Sequence, residues 1–136
     1  MANEVTVVQL LGKHKDGDPI EYTIADGTDI AKGTVMEITD PRTVKKVSAA
    51  DKALVGIAAY EKVASDGATT MAVLTNCIVK ATAGASAATV GFHQVAEDGT
   101  NTLTDYDTLD EELGRTIGYA LETAAAGETY LVRIEC

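Results

Sequence analysis

Short alternating segments between turn-forming residues constrain the fold of this chain more than any other feature. Residues 20–24 (IEYTI) alternate apolar and polar side chains, and residues 34–38 (TVMEI) are interpreted as another segment of this kind. The turn-forming stretch Ala25-Asp26-Gly27-Thr28 separates these two segments, and Asp40-Pro41 follows the second. A period of two is typical of a half-buried β-strand, and Gly, Asp and Pro favour tight turns. The pattern predicts a chain of short strands.

The same pattern extends to the rest of the sequence. Further strands are predicted at residues 5–11, 43–47, 54–60, 70–74, 77–81, 90–95, 115–121 and 129–134. The segments at 70–74 and 77–81 are predicted to form a hairpin. Short helical turns are predicted from Ser48 and at the capping-box sequence Thr108-Leu109-Asp110-Glu111. We therefore expect a mostly β protein, with one compact barrel- or sandwich-like domain and one or two helical turns.

The domain organisation follows from this strand pattern. A chain of 136 residues falls within the usual size of one domain. Residues 1–19 are interpreted as an N-terminal strand or extended arm followed by a polar loop, and residues 20–136 as the β domain.

One internal sequence similarity suggests a repeated unit. Gly56-Ile57-Ala58 is followed by Glu, Ala and Gly and then by a strand that ends at Cys77, and Gly118-Tyr119-Ala120 precedes a similar series that ends at Cys136. This similarity predicts two similar β-hairpins related by pseudo-symmetry. The general similarity of all β-hairpins explains it equally well.

The charge balance limits the partners of this chain. The formal net charge of −10 disfavours nucleic acid as a partner, because phosphate binding depends on Lys and Arg. It also disfavours an anionic membrane surface, and no apolar run approaches the ~20 residues of a transmembrane helix. The N-terminus lacks the pattern of a signal peptide, so synthesis in a cytoplasm is expected. Cys77 and Cys136 are expected to be free thiols, although their spacing leaves pairing open.

The chain has few residues suited to catalysis. Its two histidines, His14 and His93, do not lie in a metalloprotease spacing, and no serine lies in a GxSxG elbow. Glycine-rich phosphate cradles are also absent from the sequence. We therefore predict a protein that is not an enzyme and that uses no cofactor. An enzyme of an unrecognised type is the least favoured alternative.

Acidic residues near position 108 are the candidates for a bound ion. Asp105, Asp107 and Asp110 stand close together, and calcium prefers carboxylate oxygens from a flexible loop. The stretch lacks the glycine and the spacing of an EF-hand. Acidic residues also gather at helix N-termini for electrostatic reasons. The competing interpretation is a solvated loop that leads into a helix, with no metal.

The apolar N-terminal segment is the candidate partner-binding element. It contains Val5, Val7, Val8, Leu10 and Leu11. Such a segment can add a strand to a neighbouring sheet through main-chain hydrogen bonds. The equally weighted alternative is an ordinary first strand of the domain's own sheet.

A family resemblance emerges from the order of the motifs after Tyr22. The order runs from Ala25-Asp26-Gly27-Thr28 through residues 29–36, then Val55-Gly56-Ile57-Ala58, then residues 71–74, 117–121 and 130–134. In this order the chain resembles the small capsid decoration, or cement, proteins of tailed bacteriophages and related viruses. The resemblance covers most of the chain from about residue 22 onward, and the first twenty residues do not match strongly.

The resemblance implies a mechanical role. It implies a compact β fold that assembles as homotrimers on the outer capsid surface of a virion, between capsomers of the major capsid protein. The trimers would clamp the capsomers and stabilise the shell against internal pressure. The alternative from another functional class is a soluble ligand- or carbohydrate-binding β module, although sugar sites usually rely on exposed aromatic platforms and the chain has no Trp.

Overall fold

The described part of the chain is built from β-strands. The computed structural model describes residues 3–10, 19–48, 53–96, 101–106 and 116–136, and these residues form no helix. The strands are β1 (Thr6–Leu10), β2 (Ile20–Ile24), β3 (Val35–Asp40), β4 (Thr43–Lys46), β5 (Leu54–Ala58), β6 (Thr70–Leu74), β7 (Asn76–Thr82), β8 (His93–Ala96), β9 (Leu103–Asp105), β10 (Gly118–Ala120) and β11 (Thr129–Glu135). The predicted mostly β fold, in one compact domain, is confirmed.

The strands from β2 to β6 form a closed five-stranded barrel, the first repeat. The order around this barrel is β2-β4-β3-β5-β6, and β6 pairs with β2 to close it. The β2–β4 contact is parallel, whereas every other pair in the barrel is antiparallel. Full closure removes exposed strand edges, which would otherwise pair with other chains.

The strands from β7 to β11 form a second unit, the second repeat. They belong to a six-stranded sheet in the order β1-β7-β11-β10-β8-β9. A parallel bridge between Ala83, directly after β7, and Leu103 of β9 joins the two ends of this unit. Its cyclic order is therefore β7-β9-β8-β10-β11, with one parallel contact and four antiparallel ones.

The two repeats correspond strand by strand and residue by residue. The Thr23–Thr70 pair in the first repeat matches the Thr82–Thr129 pair in the second. Three further pairs of the first repeat have an equivalent in the second. The antiparallel pair Met36–Gly56 matches Gln94–Gly118, and the parallel pair Ile24–Val44 matches Ala83–Leu103. The loop bridge Ile30–Lys62 matches Ala88–Ala124. The predicted hairpins, β5–β6 and β10–β11, are confirmed. The internal symmetry extends beyond them to a whole five-stranded unit.

The hairpin predicted between residues 70–74 and 77–81 is wrong. β6 pairs with β2 and β5, whereas β7 pairs with β1 and β11. Only Thr75 separates β6 from β7, and one residue is too short to reverse the chain. The chain instead runs directly from the first repeat into the second.

The predicted helical turns lie almost wholly outside the described residues. Residues 49–52 follow Ser48, and residues 107–115 contain the capping-box sequence. Among the described residues, no helix is long and apolar enough to span a bilayer.

Two groups of buried side chains stabilise the fold. The smaller fills the first barrel, with Ile24, Met36, Val44, Met71 and Val73 among its members. The larger spans both repeats and also includes Val5. Burying one such side chain contributes roughly 1.5–3 kcal/mol. The shared core makes the two repeats one folding unit rather than two independent barrels.

The interiors of the two repeats differ in polarity. Met36 and Met71 of the first repeat correspond to Gln94 and Tyr130 of the second. The Tyr130 hydroxyl donates to Gln94 Oε1 at 2.5 Å, and both residues are buried. A hydrogen-bonded pair therefore replaces two thioether side chains, and it satisfies polar atoms that would otherwise be costly to bury.

Candidate functional site

The apolar N-terminal segment forms an edge strand. Val5 is buried in the larger core, Val7 is half-buried against it, and Val8 is 55% exposed. The backbone of Leu10 pairs with that of Cys77 in β7. Leu11 lies outside the described residues.

The position of β1 matches the second interpretation, an ordinary strand of the domain's own sheet, and partner binding by this segment stays a prediction. β1 belongs to the protein's own sheet, because it pairs with β7 from Thr6 opposite Lys80 to Leu10 opposite Cys77. It also ends the strand order of that sheet, so no described strand pairs with its outer edge. The outer edge of β1 therefore remains a candidate for strand addition by a partner.

Asp105, the described member of the candidate ion site, has a structural role. Its Oδ1 atom accepts hydrogen bonds from Gln94 Nε2 at 2.8 Å and from the Thr89 amide at 3.0 Å. Asp107 and Asp110 lie outside the described residues. The described residues contain no group of three or more His, Cys, Asp or Glu side chains that could hold a metal.

A buried lysine organises the loops at one end of the first repeat. Lys62 is 2% exposed, and its Nζ atom lies 2.8 Å from Asp66 Oδ1 and 2.9 Å from Asp26 Oδ1. The hydrogen bond from Lys62 is the largest cause that lowers the pKa of Asp66 to about 2. The hydrogen bond to Asp66 likewise raises the pKa of Lys62. Both charged forms are thus favoured, and the cluster is an ion-paired loop clamp rather than a reactive pair.

This clamp predicts a specific acid response. The folded pKa of Asp66 lies below its ordinary value of 3.8, so its stabilisation is present above about pH 4 and is lost as the pH falls toward 2. Asp66→Asn should therefore flatten the fall in unfolding free energy between pH 4 and pH 2, measured by urea denaturation. Lys62→Met should flatten it as well, because it removes the partner. An acid slope equal to that of the wild type in both variants would contradict the assignment.

Asn101 joins the second repeat to the first. Its side chain is buried, and Oδ1 accepts a hydrogen bond from the Val35 amide at 2.8 Å. Its Nδ2 atom donates to the carbonyl oxygens of Asn3 at 2.9 Å and Gly33 at 3.1 Å. The backbone of Asn101 has φ +58°, a left-handed conformation that Asn tolerates better than most residues. One side chain thus connects the N-terminal segment and both repeats.

Sequence reasoning missed a group of partly exposed aromatic side chains on the second repeat. We call Phe92, His93, Tyr106 and Tyr119 the aromatic face. The His93 ring lies 5.7 Å from that of Tyr106 and 6.3 Å from that of Tyr119, between centroids. Phe92, which is 48% exposed, lies 6.3 Å from Tyr106. The sequence signal was aromatic residues near three separate strands, and only the pairing of those strands brings them together.

Neither cysteine is arranged as a nucleophile. Both are free thiols in the structure, as the sequence predicted. Burial raises the pKa of the Cys77 thiol to about 11, whereas Cys136 is exposed and its thiol donates to the Ile117 carbonyl oxygen at 3.7 Å. A raised pKa disfavours the thiolate, which is the reactive form.

Comparison with solved structures shows a likeness of fold. No protein-family model matches the sequence, and no curated protein does. Among solved structures, the chain is similar to the N base of head fiber gp8.5 of bacteriophage phi29, with a TM-score of 0.55 and 12% sequence identity. The match covers 86% of this chain and 92% of the phage chain. At this identity the likeness establishes a shared fold.

Proposed function

We propose that this chain is a structural protein of a bacteriophage head, and specifically a decoration (cement) protein of the outer capsid surface. The observation that carries the proposal is the fold shared with a phage head fiber base over 86% of the chain. The motif order that resembles capsid decoration proteins supports it independently. The chain would be made in the host cytoplasm and would function in the virion without catalysis.

The proposed partners are the major capsid protein and further copies of the chain. Homotrimers between capsomers would contact the shell at three linked points, and linked contacts raise retention by about 10²–10⁴-fold over a single contact. The outer edge of β1 suits this role, because an unpaired strand edge can accept a strand from the shell. Val8, exposed on that strand, would lie at the contact. Neither nucleic acid nor membrane is needed.

The test is binding to expanded shells that lack decoration proteins. The purified chain should sediment with such shells and raise the temperature at which they rupture. Val8→Asp should weaken this binding, whereas Val63→Asp should leave it unchanged. Val63 is a matched control, because it is also 55% exposed but lies in a loop of the first repeat. A folded chain that leaves such shells unbound at every concentration would refute the proposal.

The alternative of a carbohydrate- or ligand-binding module draws on one observation. The aromatic face exposes ring surface of the kind that sugar sites use, although it contains no Trp. A glycan array tests this directly. A hit that free sugar competes away, and that Tyr119→Ala abolishes, would favour this function over the decoration role.

A further inference from the structure

Each repeat has an equivalent outer face, and the two faces have different surroundings. Val35 pairs with Ile57 in the first repeat as His93 pairs with Tyr119 in the second. Four residues of the first repeat have equivalents in the second by this register: Val35 with His93, Val47 with Tyr106, Ile57 with Tyr119, and Leu74 with Arg133. The match at Val47 and Tyr106 rests on equivalent backbone bonds, from Val47 N to Val35 O at 3.0 Å and from Tyr106 N to His93 O at 2.9 Å.

In the first repeat this outer face is covered by the rest of the chain. The four aliphatic side chains there are buried, with exposed fractions between 0% and 8%. They belong to the larger core, which includes Cys77, Val79 and Ile134 of the second repeat and Val5 of the N-terminal segment. Within one chain, the outer face of the first repeat therefore packs against the second five-stranded unit.

In the second repeat the equivalent face is only partly buried. His93, Tyr106, Tyr119 and Arg133 are all half-buried, and Phe92 beside them is 48% exposed. Aromatic residues and Arg are the residue types enriched at protein–protein interfaces and at their energetic hot spots. The face has the composition of an interface.

The surface of the second repeat that covers the first repeat's outer face has an equivalent on the first repeat, and this equivalent is exposed. Val79 on β7 is fully buried in the shared core, and its equivalent on β2 is Ile20, which is 43% exposed. Among the described residues, Ile20 is thus exposed at the end of the first barrel that corresponds to the covered end of the second repeat. Glu21, next to Ile20, is exposed and has a charge opposite to that of Arg133.

We propose that the aromatic face of one copy of this chain packs on the Ile20 end of the first repeat of a second copy. The contact between copies would repeat, between chains, the contact that the two repeats already make within one chain. The two surfaces differ, so the interface is heterologous, and a heterologous interface that closes on itself produces a ring. The inference deepens the proposed trimer by naming its interface, and it concerns the free protein without any shell.

The experiment compares the self-association of matched variants. Wild-type chain, Phe92→Glu, Tyr119→Glu and Val63→Glu are analysed by sedimentation velocity over a wide concentration range, and circular dichroism confirms that each is folded. Wild type and Val63→Glu should form a discrete closed oligomer. Phe92→Glu and Tyr119→Glu should associate about tenfold or more weakly, as expected when one hot-spot residue is lost. A monomeric wild type, or equal association by all four proteins, would overturn the proposal.

A second measurement locates the contact on the partner. A photo-crosslinking amino acid at position 92 should form a bond to the peptide around Ile20 of another copy, identified by mass spectrometry. Crosslinks confined to other regions would overturn the proposed arrangement. The shell experiment separates the two proposals: an oligomer that ignores shells refutes only the decoration function, whereas a monomer that binds shells refutes only this interface.

Discussion

Gly118→Ala is expected to destabilise the protein by about 3 kcal/mol or more, because overpacking against a fixed backbone is among the costly single changes. A Cβ atom at Gly118 would overlap the carbonyl oxygen of Arg133 and lie 2.8 Å from its carbonyl carbon. Both atoms belong to β11, which is held between β10 and β7. The neighbouring backbone cannot move aside without breaking the pairing of these strands. The measurement is the urea midpoint, or the soluble fraction if the variant fails to fold.

Two other glycines make this prediction specific. Gly56 is the equivalent residue of the first repeat, and a Cβ there would overlap the carbonyl oxygen of Leu74, so Gly56→Ala should be similarly harmful. Gly27 has no atom within 4 Å of a built Cβ, so Gly27→Ala should change stability by no more than about 0.5 kcal/mol. If Gly118→Ala and Gly27→Ala have the same urea midpoint, the close-approach argument is wrong.

Asn101→Asp is expected to have the second large effect. The substitution keeps the shape and the acceptor for the Val35 amide, but it replaces the donor that faces two carbonyl oxygens with an anionic oxygen. A buried charge without a partner is strongly unfavourable, and we expect a loss of about 3–5 kcal/mol at neutral pH. Urea denaturation at pH 7 measures it.

The pH dependence of this variant provides its own control. Burial beside two carbonyl oxygens should raise the pKa of the introduced carboxyl in the folded state. The penalty should therefore apply above that pKa and should shrink as the pH falls through it and the group becomes protonated. Asn101→Gly, which keeps the left-handed backbone and loses only the side-chain bonds, should be milder and insensitive to pH. A pH-independent loss in Asn101→Asp would contradict the assigned hydrogen bonds.

Local pattern was sufficient to identify ten of the eleven described strands, and β9 (Leu103–Asp105) was not predicted. The segment at residues 20–24 was predicted with its observed bounds, because its alternation continues up to a turn of Asp and Gly. The strand predicted at 90–95 begins only at His93, since Gly91 has φ +83° in a turn where the Phe92 amide donates to the Thr89 carbonyl. A β-branched residue such as Val90 has the propensity for a strand, but it does not report where pairing starts.

The candidate sites were harder to predict than the strands. The N-terminal segment was recognised from its composition, and the structure places it as an ordinary edge strand of the domain's own sheet, while its binding to a partner stays a prediction. The aromatic face was not recognised, because its residues come from β8, β10 and the end of β9. Asp105 was grouped with its sequence neighbours, although its hydrogen bonds reach across the strand pair to Gln94.

The sequence by itself determined the β class of this protein and the existence of two similar hairpins, since side-chain period and turn residues act over a few positions. Only the tertiary structure showed that the likeness extends to two whole five-stranded units, because equivalent residues differ in type. Met36 matches Gln94, Val35 matches His93, and Lys62 matches Ala124. Backbone pairing preserves the register while the side-chain types differ with the surroundings, so one face is a buried core and the equivalent face is a partly exposed aromatic surface.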